Sequence, residues 1–293
     1  MNLKPGSASH WNTTGTRAEP VRHLIRLTDG WNRATLQELF GLAEAHERGG
    51  RPSLHGSVVM FFPATCLRTR VSFKLGAARL GLTTVTMPPE ALDTGEAKSD
   101  VAGYLAQWAD LLVVRHPDIT VLESLAETNT VPVINAMTAV NHPCEVLSDL
   151  YALSRTRDPF GLRYVLFGPD GNIARAWLEA ARAFGLELLQ ACPKELATKG
   201  IRCMDDPIEA ARGADVILTD SPGGHEAELA PYRVTTGLLD LAAAGVQLVP
   251  CPPFSRGREL TAEAAKSEAF VGYAFKRALL PVQQAIMELL LGR

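Results

Sequence analysis

Residues 63–73 (PATCLRTRVSF) place arginine, threonine and cysteine side chains directly after an apolar run at residues 58–62. A strand that ends in a turn and opens a helix presents unpaired backbone N–H groups and the positive end of the helix dipole. Arg68 and Thr69, in the first turn of such a helix, could close on a phosphate. The sequence therefore predicts an anion site here, although a solvated basic helix start would give the same spacing.

Other polar residues also stand at the ends of apolar runs. Arg115 follows the run at residues 111–114, where it would point into a cleft or form a surface salt bridge. His142 precedes Pro143, a residue favoured at the first position of a helix, and Glu145 then falls in the first turn. On this spacing His142 is either catalytic or structural.

Two more candidates lie in the second half of the chain. Asp220 follows the run at residues 216–219, and Cys251 follows the run at residues 246–249. The glycine-rich segment 168–172 lacks the GxGxxG spacing, and the strand after it ends in Gln190 instead of an acid. A dinucleotide site is therefore disfavoured.

Apolar runs alternate with helical patterns throughout the chain. Buried strands are predicted at residues 58–62, 83–86, 111–114, 131–134, 164–167, 186–189, 216–219 and 246–249, and helices at 35–46, 101–108, 173–184 and 275–291. This alternation is typical of parallel sheets covered on both faces. We expect an α/β fold of two doubly wound parallel-sheet domains, residues 1–140 and 141–272, with a final helix at 273–293 packing back on the first.

Composition excludes several classes of protein. The chain has 293 residues, 46% hydrophobic and 21% charged, with a net charge of −3, so neither a nucleic-acid nor a membrane partner is expected. Residues 1–20 are polar and lack an apolar signal core, and five scattered cysteines form no CxxC pair. These features predict a cytoplasmic protein with free thiols.

Taken in order, the motifs resemble those of the aspartate/ornithine carbamoyltransferase family, over about residues 23–290. The matching segments are Cys66 to Phe73, Gly95-Glu96 with Asp100, Arg115-His116-Pro117, His142-Pro143-Cys144-Glu145, Asn172, Asp220, and Pro250 to Pro253 with Arg256. The resemblance implies that the first domain binds carbamoyl phosphate and the second an amine acceptor, without metal or cofactor. It also implies a homotrimer in which a neighbouring subunit contributes to each site.

The resemblance assigns expected roles residue by residue. The catalytic residues would be Arg68, His142, Cys251 and Arg256, with Cys251 alternatively a small buried hydrophobe. The substrate-binding residues would be Cys66, Leu67, Thr69, Arg70, Arg115, Glu145, Asn172, Asp220 and Pro252.

Departures from the family pattern concentrate in these motifs. Cys66 and Leu67 replace Ser and Thr, and Glu145 replaces a Gln that would face the carbamoyl NH2. A carboxylate facing a phosphate dianion must be protonated or paired with a cation, unless the ligand itself carries a cationic group at that point. The acceptor side is altered around Asp220 and Cys251, so the acceptor is expected to be neither plain ornithine nor aspartate. The alternative is a non-catalytic relative that binds an anion or metabolite, or that partners an active homologue.

Overall fold

The computed structural model describes residues 22–49 and 54–292, and within them the chain forms two parallel β-sheets. The first sheet contains β1 Ser57–Phe61, β2 Thr83–Met87, β3 Leu111–Arg115 and β4 Val133–Met137, in the order β2-β1-β3-β4. The second contains β5 Arg163–Phe167, β6 Glu187–Ala191, β7 Arg202–Met204, β8 Val216–Thr219 and β9 Gln247–Pro250, in the order β7-β6-β5-β8-β9. The predicted fold class is confirmed.

Helices connect and cover the strands. In chain order they are α1 Arg33–Glu47, α2 Arg68–Arg79, α3 Lys98–Leu105, α4 Ile119–Ala126, α5 Pro143–Ser154, α6 Asn172–Phe184, α7 Pro207–Ala211, α8 Glu226–Leu229, α9 Thr236–Leu241, α10 Gly272–Phe275 and α11 Leu279–Leu291. Short 3-10 turns lie between several of them, including Lys276–Ala278 just before α11. The predicted helix start at Pro143 is confirmed by α5.

Two expectations about individual elements need correction, and one strand was not predicted at all. The strand at residues 83–86 is not buried: β2 is an edge strand paired only with β1, so Val85 and Met87 remain 49% and 42% exposed. The helix predicted over residues 101–108 ends at Leu105, and Trp108 lies in a turn, 72% exposed. The short strand β7 was not predicted, because three residues carry too little periodicity to show.

The last helix, α11, packs on α1, α2 and α5. It is apolar nearly all round, which is typical of a helix enclosed by neighbours. Gly76 lets α2 approach closely, because a Cβ there would lie 3.3 Å from the side chains of both Gln284 and Met287. The contacts of α11 are thus with elements on the first-sheet side of the molecule, while the domain boundary itself stays a prediction.

A buried carboxylate joins the start of the described chain to the second sheet. Glu179 of α6 accepts hydrogen bonds from Leu27 N at 2.9 Å and from Asn141 Nδ2 at 2.9 and 3.1 Å. Burial raises the pKa of Glu179, against the effect of these donors and Arg26. Both carboxylate oxygens are therefore used by donors from outside their own helix.

The remaining expectations concern processing and cysteines. The polar leader at residues 1–20 lies outside the described residues. Among the residues that the structure does describe, no helix combines the length and apolar character needed to cross a membrane. All five cysteines are free in this structure.

Candidate active site

The candidate site is a cavity of about 480 Å³ at the carboxyl ends of both sheets. In the first sheet β2 lies on one side of β1 and β3 on the other, and in the second sheet β6 lies on one side of β5 and β8 on the other. The chain therefore reverses the direction in which it adds strands at β1 and at β5. Ligands of open parallel sheets bind in the crevice beyond the strand ends at such a switch point. The cavity is lined by Thr65, Cys66, Leu67, Arg68, Thr69, Arg115, Met137, His142, Glu145, Asn172, Ile173, Asp220, Cys251, Pro252, Pro253 and Leu279.

The first wall is the start of α2, directly after β1. Leu67 occupies the N-cap position and no side chain caps the helix, so the N–H groups of the first turn are open to a ligand. Arg68 has no ion-pair or hydrogen-bond partner for its guanidinium within residues 22–49 and 54–292. Arg115, at the end of β3, donates from Nη1 to the Cys66 sulfur at 3.3 Å. Two guanidinium groups and a helix N-terminus therefore converge on one part of the cavity, an arrangement suited to a phosphate.

His142 is buried at the N-cap of α5. The pKa of His142 is lowered to about 4, mainly by burial and also by the charges of Arg115 and Lys276, which together outweigh the opposing effect of Glu145. The imidazole is therefore neutral at pH 7 and can donate one hydrogen bond without carrying charge. Its Nδ1 is buried and finds no hydrogen-bond partner in the described part of the chain.

Glu145 is paired with a cation that the sequence analysis missed. Lys276 Nζ donates to Glu145 Oε1 and to Asp149 Oδ1, both at 2.6 Å. All three side chains are less than one-fifth exposed. Of the possibilities raised for Glu145, pairing with a nearby cation is the one that the structure shows.

The acceptor side is built from the ends of β8 and β9 and the start of α6. Burial raises the pKa of Asp220 to about 6, although the Ser221 N–H donates to its Oδ1 at 2.8 Å. Gly171 leaves room for this carboxylate, because a Cβ there would lie 3.2 Å from Asp220 Oδ2. Asn172 donates from Nδ2 to Thr138 O at 2.9 Å. Burial also raises the pKa of the Cys251 thiol, so that its sulfur is not an ionised nucleophile.

Two predicted site residues do not line the cavity. The Arg256 side chain is exposed and its guanidinium lies 5.8 Å from the Phe254 ring centroid. Arg70 points away because it is two residues further along α2 than Arg68, on another face of the helix. The other predicted residues are brought together in this one cavity, and their catalytic and binding roles stay predictions.

The sequence could have predicted the involvement of Asp149 in this cluster, but not that of Lys276. Asp149 follows Glu145 by one helical turn, so two carboxylates share one face of a helix that is buried almost throughout, which calls for a cation. Lys276 is 131 residues from Glu145 and nothing in the sequence pattern connects the two. Only the tertiary structure identifies it.

Family models decide the assignment. Residues 22–155 match the aspartate/ornithine carbamoyltransferase carbamoyl-phosphate-binding domain, and residues 160–290 match the Asp/Orn-binding domain of the same family. The chain belongs to the aspartate/ornithine carbamoyltransferase family. It is thus by descent an enzyme of the carbamoyltransferase class, as the sequence motifs indicated.

Individual relatives agree with this family. Ornithine carbamoyltransferase of Chlorobaculum tepidum is 32% identical over 264 residues, which cover 81% of this chain and 78% of that protein. Ornithine carbamoyltransferase of Pyrococcus furiosus superposes with a TM-score of 0.86 at 25% identity, covering 93% of this chain and 97% of the other. A solved N-acetyl-L-ornithine transcarbamylase variant has a TM-score of 0.76 at 25% identity, covering 92% and 99%.

Proposed function

We propose that this protein transfers a carbamoyl group from carbamoyl phosphate to the amino group of a small molecule. One observation carries the proposal: the cationic start of α2 and the neutral, buried His142 line the same cavity as Asp220. The first group of residues suits a phosphate leaving group, the second a carbonyl oxygen, and the third an amine. Together they match the parts of a carbamoyl transfer.

The reaction follows from these positions. Phosphate oxygens accept hydrogen bonds from the first turn of α2 and from Arg68 and Arg115, which neutralise the charge of the leaving group. His142 and Arg68 stabilise the negative charge that develops on the carbamoyl oxygen in the tetrahedral transition state. The neutral amine forms the new N–C bond, and the C–O bond to phosphate breaks. Phosphate leaves with the electron pair and takes up the proton that the amine nitrogen gives up.

A direct transfer requires no covalent enzyme intermediate. The Cys251 thiol stays protonated because of its burial, which leaves it as a neutral wall of the acceptor side. The cavity is partly enclosed, and orientation of two reactants there supplies much of the acceleration of a bimolecular reaction.

The acceptor that we propose is an amine other than plain ornithine or aspartate. Asn172 already donates to Thr138 O, and Asp220 is followed by Ser221, Pro222 and two glycines. Among the residues that line the acceptor side, none is a cationic side chain that could pair with the second carboxylate of an aspartate acceptor. Asp220, ionised above about pH 6, is the group that attracts a cationic or polar amine.

The test is a panel of amines incubated with carbamoyl phosphate, with the ureido product detected by mass and phosphate release measured in parallel. The panel includes ornithine, N-acetylornithine and aspartate, and Arg68→Ala provides the inactive control. Stoichiometric product and phosphate with one amine support the proposal. If ornithine is the best acceptor, transfer stands and the acceptor proposal is wrong; binding of carbamoyl phosphate without product from any amine favours the non-catalytic alternative.

We also propose that the protein is a cytoplasmic homotrimer. Leu67, Val71 and Leu75 form an apolar stripe along α2 and are 67%, 48% and 51% exposed, which a second copy would cover. Five free thiols suit a reducing compartment. Val71→Asp should lower the molar mass measured by light scattering, whereas Ile208→Asp, at a residue equally exposed on α7, should not; an unchanged mass for Val71→Asp contradicts the proposed interface.

A further inference from the structure

Lys276 lies in the turn that leads into α11 and reaches back to α5, where it contacts two carboxylates one helical turn apart. Its Nζ is 2.6 Å from Glu145 Oε1 and 2.6 Å from Asp149 Oδ1. Glu145 Oε2 has no hydrogen-bond partner among the described residues, and Glu145 lines the cavity. One oxygen of the carboxylate is therefore held by the protein and the other is left for a ligand.

The charges around Glu145 fix its protonation. Burial alone would raise the pKa of Glu145, but the positive charges of Lys276 and Arg68 favour the ionised carboxylate, and the pKa is lowered. Burial raises the pKa of Asp149 to about 7, so Asp149 holds a proton at lower pH and leaves Lys276 to Glu145. The buried Cys144 and Cys251 thiols, which also face Glu145, keep raised pKa values and stay neutral. Near neutral pH the Lys276 ammonium thus offsets the charge of the Glu145 carboxylate beside the anion site, while Asp149 is only partly ionised.

We propose that Lys276 is a positioning residue: it holds Glu145 as an ionised carboxylate, whose free oxygen Oε2 selects a donor molecule bearing N–H groups on the carbon that is transferred. The proposal rests on the proposed carbamoyl donor. A carboxylate accepts hydrogen bonds and donates none. Oε2 therefore accepts a hydrogen bond from the NH2 of a carbamoyl group, whereas a methyl group of the same size offers it no donor. An amide at this position could turn either its oxygen or its nitrogen toward the ligand and would discriminate less.

Lys276 also makes this selectivity independent of pH in the working range. Without the ammonium, burial would raise the pKa of Glu145, and the carboxyl would take up a proton at a higher pH than it does in the wild-type protein. A protonated carboxyl both donates and accepts, so its preference for N–H over methyl would weaken as the pH falls.

Carbamoyl phosphate and acetyl phosphate, which differ by NH2 against CH3, are the probes for isothermal titration at pH 6 and pH 8. The wild-type protein should bind carbamoyl phosphate about 10-fold or more tightly than acetyl phosphate at both pH values, as expected for one hydrogen bond to a charged group. Lys276→Met should reduce this ratio several-fold, and more at pH 6 than at pH 8. Lys276→Arg should keep the ratio, and Lys194→Met, at an exposed lysine, serves as the matched control.

The double variant Glu145→Gln/Lys276→Met separates positioning from direct contact. In the Glu145→Gln background, loss of Lys276 should leave the ratio unchanged and independent of pH. If Lys276→Met instead weakens both ligands by one common factor, or changes the ratio equally in both backgrounds, Lys276 acts on the phosphate or on folding and the proposal is overturned.

Thermal unfolding keeps this test apart from the proposed function. If the wild-type protein binds no carbamoyl phosphate, the donor proposal fails. The ion pair between Lys276 and Glu145 is then tested by the melting temperature alone. The melting temperature of Lys276→Met should fall relative to wild type as the pH rises from 5 to 8, because a carboxyl group whose pKa is raised in the folded state destabilises the protein at pH values above that pKa. The double variant should fall less. If the melting temperatures of the single and double variants depend equally on pH, the proposed ion pairing of Lys276 with Glu145 is contradicted.

Discussion

Replacing Asp220 with asparagine should stabilise the protein near neutral pH while lowering its activity. Asp220 lies at the end of β8 on the acceptor side of the cavity, and burial raises its pKa to about 6 from an ordinary value near 3.8. The asparagine side chain would keep an oxygen able to accept from the Ser221 N–H, so the local turn is preserved. What the substitution removes is a buried negative charge.

The size and sign of the effect follow from linkage between protonation and folding. A group whose pKa is raised in the folded state stabilises fully only below its unfolded pKa, and that contribution is lost as the pH rises through the folded value. A shift of about two units corresponds to about 3 kcal/mol, present in full above about pH 6.5. At pH 4.5, where Asp220 is still protonated in the folded protein, the same arithmetic gives about 1 kcal/mol.

Urea unfolding of wild type and Asp220→Asn at pH 4.5 and pH 7.5 measures this difference. We expect the variant to gain about 3 kcal/mol at pH 7.5 and about 1 kcal/mol at pH 4.5, and its carbamoyl transfer to fall at least 10-fold. Asp240→Asn, at an exposed aspartate, is the control and should change neither quantity. A gain below about 0.5 kcal/mol at pH 7.5, or equal gains at the two pH values, would refute the assignment of a buried, ionised Asp220.

Two further variants test the role of Arg68 at the start of α2 and the role of the buried Glu179, which accepts hydrogen bonds from Leu27 and Asn141. Arg68→Ala should lower turnover at least about 100-fold, by analogy with loss of one oxyanion donor, while Arg70→Ala, outside the cavity, should stay within a few-fold of wild type; comparable losses would contradict the geometry. Glu179→Gln should cost about 1–3 kcal/mol in urea unfolding, because an amide NH2 in place of Oε1 would face the Asn141 Nδ2 donor and the Arg26 guanidinium and could accept from neither. Glu38→Gln at the surface should cost under about 0.5 kcal/mol. If both glutamine variants lose a similar free energy of unfolding, the buried hydrogen bonds of Glu179 do not stabilise the protein as proposed.

Most of the fold and most of the cavity wall could be predicted from the sequence. Central strands such as β3 and β5 are short apolar runs, and a residue just after such a run, like Arg115 or Asp220, must lie at the carboxyl edge of a parallel sheet. Local pattern therefore determined both the element and the direction of the side chain after it.

The parts that could not be predicted depend on contacts distant in sequence. The exposure of Val85 is set by the place of β2 at the sheet edge, which periodicity along one strand does not reveal. The ionisation of Glu145 is set by Lys276, which no spacing rule connects to it. Arg256 stands in a matching motif but on an exposed loop, because the path of that loop after β9 is fixed by packing and not by the motif.

The position of α11 also governs the order in which the chain can complete itself during synthesis. The elements that it packs against, α1 and α2, leave the ribosome first, but α11 is made after the whole second sheet. Until then the apolar surface on α1 and α2 has no cover, so the first half of the chain cannot finish folding as an independent early unit. We expect a nascent chain halted directly after the second sheet to expose that surface to chaperones, and to lack Lys276 at its cavity. Completion of the hydrophobic core and arrival of the Lys276 ammonium beside Glu145 are thus both late events.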